Sequence, residues 1–275
     1  MELRTRALKV LRLVDPVTKA AATRALATDV RAGLALDPAL ALAAPEGALP
    51  GRPELPKLVP ADQVPRRSPF TLAGRAALLH AICHIEFNAI NLALDAVWRF
   101  ANMPTAYYLD WLRVADEEAL HFSLLNEHLE SLGHHYGDFD AHDGLWAMTE
   151  RTSADITARM ALVPRTLEAR GLDATPPIQN KLRQAGDHRA VEILDIILRD
   201  EIGHVAIGNH WYRWLCEQQG LDPTSLYPEL VERYLAPRLK GPFNFGARRE
   251  AGFTEVELDW LAGMAGRKKH HPGAG

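Results

Sequence analysis

The sequence predicts an all-α fold: a four-helix bundle with an N-terminal arm and a C-terminal helical extension. Three observations carry this. Apolar residues recur at helical spacing in long stretches between residues 71 and 219, and no alternating strand pattern of convincing length appears. Prolines crowd into Asp37–Pro69, where they forbid a long helix or a sheet interior. The expected parts are therefore 1–70 (helix and Pro-rich arm), 71–220 (bundle) and 221–275 (extension).

Residues 2–32 read as one or two surface helices broken near Pro16, and the Pro-rich stretch as an extended arm lying on the domain. A first bundle helix runs from Thr71 to Phe100, with Leu79, Ile82, Ala89, Ile90, Ala93 and Val97 on one face. A second spans Ala106–Leu132, with Trp111, Val114, Ala115, Phe122, Leu125 and Leu129 inward and Gly133 as its stop. The third is expected from Gly144 to Arg170, ending at Gly171. "DATPP" then reads as a break, and a short helix Ile178–Ala185 follows. The fourth covers Asp187–Gln219. A helix after Asp222-Pro223, the segment "GPFNFGARREAGF" and a last helix opened by the capping box Thr254–Glu257 complete the chain. The tail "RKKHHPGAG", with His270 and His271, is expected to be disordered.

The chain has 31 Lys+Arg against 35 Asp+Glu, a net charge of -4, so composition gives no general pull toward nucleic acid or an acidic membrane. Charges run through the first 21 residues, unlike a secretory signal. No uninterrupted apolar run approaches the ~20 residues of a membrane span. The two cysteines, Cys83 and Cys216, read as reduced core thiols. A soluble cytoplasmic protein without membrane partners is the expectation.

The fourth helix contains "LRDEIGH", which places Glu201 and His204 three apart on the face that carries Leu194, Ile197, Leu198, Val205 and Gly208. The second helix repeats the motif in "DEEALHF", with Glu118 and His121 on its apolar stripe. Single acids stand on the inward faces of the other two helices, Glu86 between Ile82 and Ile90, and Glu168 after Ala161 and Pro164. The chain thus reads as two helical hairpins, each with one Glu and one Glu-x-x-His. Four inward carboxylates cannot all stay ionised without compensating charge. Two divalent cations balance them, and two imidazoles complete an oxygen-rich set suited to iron or manganese. Pro164 removes a helical hydrogen bond to the Met160 carbonyl, so the third helix should be irregular near Glu168.

This pattern resembles the ferritin-like di-iron carboxylate superfamily. More narrowly, "HAICHIEFNAINLALDAVWRF", "LVPRTLEARGLD" and "ILRDEIGHVAIGNHWY" resemble a bacterial family of ferritin-like domain proteins of undefined role. The resemblance covers Leu72–Gly220 and includes "PFNFGARREAGF". It implies two iron, two manganese or mixed ions, held by Glu86, Glu118, His121, Glu168, Glu201 and His204, and an oxidase or oxygenase acting with dioxygen or peroxide. Glu118 and Glu201 would bridge, and Glu86 and Glu168 would be terminal. The organic substrate and the electron donor stay unknown. A tRNA-modifying hydroxylase of that superfamily is also similar, which leaves a large substrate such as tRNA open, and a homodimer is compatible with the sequence. Iron storage or detoxification, and a metal-free helical interaction module, are the alternatives.

Asp200 and Glu117 are the expected acceptors for the free ring N–H groups, Asp200 for His121 and Glu117 for His204. His80 and His84 are assigned to a surface or interface, His134, His135 and His142 to solvent, and His128 to an ordinary polar position. Trp98, Trp111, Trp146, Trp211 and Tyr212 are read as core, and Arg170 as a helix terminus.

Overall fold

Capping chemistry sets most of the helix starts. The computed structural model describes residues 1–43 and 45–266, which are helical with no strand among them. Glu2 accepts the N–H groups of Arg4 and Thr5 to open α1 (Leu3–Leu11). Asp15 caps α2 (Pro16–Arg31) at the Thr18 N–H, with Pro16 in the first turn, where a missing donor costs nothing. Thr71 caps α3 (Leu72–Arg99) at Gly74. Gly74 has to be glycine, because a Cβ there would overlap the Ser68 carbonyl at 1.8 Å. The partner helix α4 (Thr105–Ser131) ends at Gly133, whose φ of 77° is the left-handed value a helix stop uses.

The third predicted helix is several pieces. They are α5 (Gly144–Arg151), α6 (Ile156–Leu162), a π-helical segment (Val163–Glu168) and α7 (Ala169–Gln184). Asp155 starts α6 by accepting the Ala158 N–H at 2.9 Å, a bond that competes with continued helix. The irregularity expected at Pro164 is the π segment. Gly171 does not end the helix, "DATPP" is no break, and Arg170 is no terminus: α7 continues through Pro176 and Pro177. The reason is a distant partner. Pro176 offers no N–H to the Leu172 carbonyl, and the Asn244 side-chain amide donates to that carbonyl instead, at 3.2 Å.

Helix α8 (His188–Gln218) comes next, then α9 (Pro223–Arg233), α10 (Phe245–Glu250) and α11 (Glu255–Gly266). Asp187 starts α8 at Ala190 and also accepts from His128 Nε2 at 2.8 Å, which gives His128 its polar role. The capping box of α11 is present, with the Thr254 N–H donating to Glu257 Oε2 and the Glu257 N–H to Thr254 Oγ1. The tail with His270 and His271 lies outside the described residues.

Two units divide the chain, Met1–Ser153 with Ile178–Ile197, and Ala154–Pro177 with Leu198–Gly275. In the first, α3 and α4 pack along each other, with α1 against α3 and α2 against α4. The N-terminal helices are more than surface decoration. Arg4 is buried and donates to the carbonyls of Trp98 at 2.9 Å and Leu40 at 2.6 Å. Lys19 is buried too, donating to Gly51 O and Asn91 Oδ1, each at 2.6 Å. The Pro-rich arm is pinned at Val59 and Ala141, where N–H and carbonyl meet at 2.8 Å. Helix α3 is long and apolar enough to cross a membrane, yet 78% of its most apolar window is buried inside the protein. The stripe predicted for α3 is buried, and so are Trp98, Trp111 and Trp146. The second unit has its own core of Ala169, Leu172, Val205, Leu239, Phe253 and Leu258, and also buries Trp211 and Tyr212. Cys83 and Cys216 are free buried thiols.

Candidate metal centre

In the first unit, Glu86 rises from α3 and Glu118 and His121 from one turn of α4; all three are buried. His121 Nδ1 stands 3.3 Å from Glu118 Oε2 and 3.4 Å from Glu86 Oε2. Two carboxylates and one imidazole therefore converge, out of water. Burial and then the adjacent Glu118 charge push the Glu86 carboxyl up, His121 only partly offsets them, and the result is about 8. Glu86 Oε2 accepts no hydrogen bond among the described residues. A buried carboxylate whose nearest donor is an imidazole at 3.4 Å calls for a proton or a cation to offset its charge.

The second unit carries the other three expected residues, Glu168, Glu201 and His204. Glu201 and His204 share one face of α8, with His204 Nδ1 3.5 Å from Glu201 Oε1, and both are buried. Glu168 closes the π segment, is buried, and is followed directly by α7. A π turn inserts an extra residue and re-aims the side chains after it, and such bulges recur at functional sites. Gly171, one turn after Glu168, faces Glu201: a Cβ there would lie 3.8 Å from Glu201 Oε2. In donor type and burial, Glu86, Glu118 and His121 are side chains that can hold a metal ion, and Glu201 is a further buried carboxylate of the second unit. Hard carboxylate oxygens with imidazole nitrogen are donors that iron, manganese and zinc all accept.

Of the expected supporting acids, Asp200 is mostly buried and engages the Arg199 guanidinium at 2.8 Å, and Glu117 is half-buried. The surface assignment of His80 and His84 is overturned, since both are buried in the first unit. Asn88 donates to His84 Nε2 at 3.0 Å, so His84 gives its Nδ1 proton to the Tyr136 hydroxyl at 2.8 Å. The Gly137 N–H donates to His80 Nε2 at 2.9 Å. Residues 134–139 fold over this side of α3, and no periodicity within α3 reveals that cover. His135 and His142 are exposed as expected, and His134 is half-buried against Phe139. Sequence reasoning also misses the inward polar set Asn88, Asn91 and Asp95. Its signal is polar residues at three- and four-residue steps in an otherwise apolar helix.

A family model described as "Protein of unknown function (DUF455)" matches residues 12–259. A Haemophilus influenzae protein described as uncharacterized is 57% identical over 224 residues, which cover 79% of this chain and 78% of that one. No solved structure matches the chain.

Proposed function

The chain belongs to the DUF455 family, and we propose that it is a ferritin-like helical protein with a dinuclear iron or manganese centre that serves an oxidase or oxygenase reaction. On this reading α3, α4, the α6–π–α7 run and α8 are the four bundle helices. Glu86, Glu118, Glu168 and Glu201 would supply carboxylate oxygens, and His121 and His204 imidazole nitrogens. The observation that carries the proposal is the buried meeting of Glu86, Glu118 and His121, repeated in donor type by Glu168, Glu201 and His204.

When bound, the ions supply one-electron chemistry toward dioxygen or peroxide, for which protein side chains are unsuited. The chain's own residues do the rest. Burial of all six side chains excludes water, and the Glu-x-x-His turns hold imidazole beside carboxylate. Without a cation, Glu86 keeps its proton at neutral pH, because burial and Glu118 both favour the neutral acid. Glu86 would give up that proton to hold an ion, since ligands bind deprotonated.

Anaerobic titration of the purified chain with Fe(II) or Mn(II) tests the reading, followed by elemental analysis and by proton release in weak buffer. The expected result is about two ions per chain, as for this ligand set, with proton release that diminishes in Glu86→Gln. A chain that takes up neither metal is a helical protein of another kind.

A further inference from the structure

The second unit contains a cavity of about 90 Å³ that the metal reading does not use. Its lining includes Arg165, Arg248, Tyr227, Phe253, Trp260 and Leu261. Arg165 and Arg248 are almost wholly buried. Both guanidiniums lie close to the Phe253 ring, 5.0 and 5.2 Å from its centroid, and Arg165 also covers Tyr227 at 4.5 Å. Glu257 pairs with Arg165 and, at 3.1 Å, with Arg213. Asp173 takes Arg248 at 2.6 Å. Each cavity guanidinium thus has one carboxylate partner, Glu257 from the lining itself for Arg165 and Asp173 for Arg248. Among the described residues, Arg165 Nε and Arg248 Nη1 are buried and donate no hydrogen bond. A buried guanidinium N–H without an acceptor is costly, and an anion is its natural complement.

We propose that this cavity binds a small aliphatic monocarboxylate, its charged end held by Arg165 and Arg248 and its short chain lying against Tyr227, Phe253, Trp260 and Leu261. The two unused N–H groups, one on Arg165 and one on Arg248, are as many as one carboxylate has oxygens. The walls favour an apolar body over a bare inorganic ion. Size sets the length, since a dry cavity of ~150 Å³ accommodates benzene and this smaller one suits about three to five carbons. Val256 at the lining is 64% exposed, which places it where the cavity meets solvent. The inference is independent of the metal centre.

Calorimetric titration of the full chain with butyrate, butylamine, butanol and inorganic phosphate tests it. Butyrate should saturate one site per chain, butylamine should show no binding, and butanol and phosphate should each bind at least about tenfold more weakly. Val256→Trp, at an exposed position that leaves the core intact, should weaken butyrate by about tenfold or more. Arg248→Lys should do the same by removing the unused N–H while keeping a cation for Asp173, with circular dichroism reporting whether it folds. The proposal is overturned by absent butyrate saturation, by equal binding of butylamine or phosphate, or by unchanged affinity in Val256→Trp.

Discussion

Pro164 packs against the bare backbone of Gly208: a Cβ at Gly208 would stand 2.6 Å from Pro164 Cβ and 2.7 Å from its Cγ. The π segment that ends in Glu168 and the helix that carries Glu201 and His204 therefore meet where one residue lacks a side chain. Gly208→Ala should destabilise the fold by ~1–3 kcal/mol, the usual cost of overpacking. Gly203, on the same helix, has nothing within 4 Å of its would-be Cβ. Gly203→Ala should therefore stabilise by ~0.5–1 kcal/mol through helix propensity. Urea unfolding of both variants checks the pair, and equal effects would mean that Pro164 does not need the gap.

Lys19 gives a pH signature. Burial, and to a lesser extent the Arg52 charge, lowers its ammonium from the ordinary 10.5 to about 7. Between those values the unfolded chain holds a proton that the folded chain has lost, so Lys19 makes stability rise with pH from about 7 toward 10.5. Below 7 both states are protonated and the cost of burying the charge is fully present. Lys19→Met should lose this rise. The measurement is the difference in melting temperature between the two proteins at pH 6.5, 8 and 9.5, which should move in favour of the unsubstituted chain as pH increases.

The buried acids and histidines were legible because chemistry forced them into view. Glu86 interrupts an apolar stripe, and Glu118-x-x-His121 repeats as Glu201-x-x-His204, so spacing alone told which side chains point inward. The π segment was legible too, since Pro164 removes a named hydrogen bond. The passage of α7 through Pro176 and Pro177 was hidden, because the group that satisfies Leu172 O belongs to Asn244, 72 residues later. The burial of His84 was hidden for the same reason: its partner is Tyr136, 52 residues away. Arg165 and Arg248 stand out in no local pattern. Only tertiary structure brings both against Phe253. Local pattern therefore reveals what one helix does with its own faces, and misses whatever a distant segment supplies.

If Glu118 serves both ions of the proposed centre, Glu118→Ala should remove all bound metal. Asp200→Asn should retain metal with affinity reduced ~10–100-fold, as for groups that orient a ligand. Elemental analysis after gel filtration, with competition against a chelator, reads both. Full affinity in Asp200→Asn would mean that Asp200 does not orient a ligand.

The metal-free protein should respond to pH through Glu86 in the direction opposite to Lys19. Burial and the Glu118 charge raise the Glu86 carboxyl to about 8, above its ordinary 4.5. Between these values the folded chain holds a proton that the unfolded chain has released, so this contribution is full below 4.5 and disappears as pH rises through 8. Metal reverses the dependence, because it binds the deprotonated carboxylates and stabilises the folded state by mass action. Glu86→Gln should therefore flatten the loss between pH 5 and 8 in the metal-free protein, since a neutral amide has no proton to release there. The same variant should gain less from added metal. Thermal melts of both proteins across that range, with and without Mn(II), give the answer. If the unsubstituted, metal-free protein loses no stability relative to Glu86→Gln as pH rises, Glu86 and Glu118 do not share one buried pocket, and the metal proposal loses its physical basis.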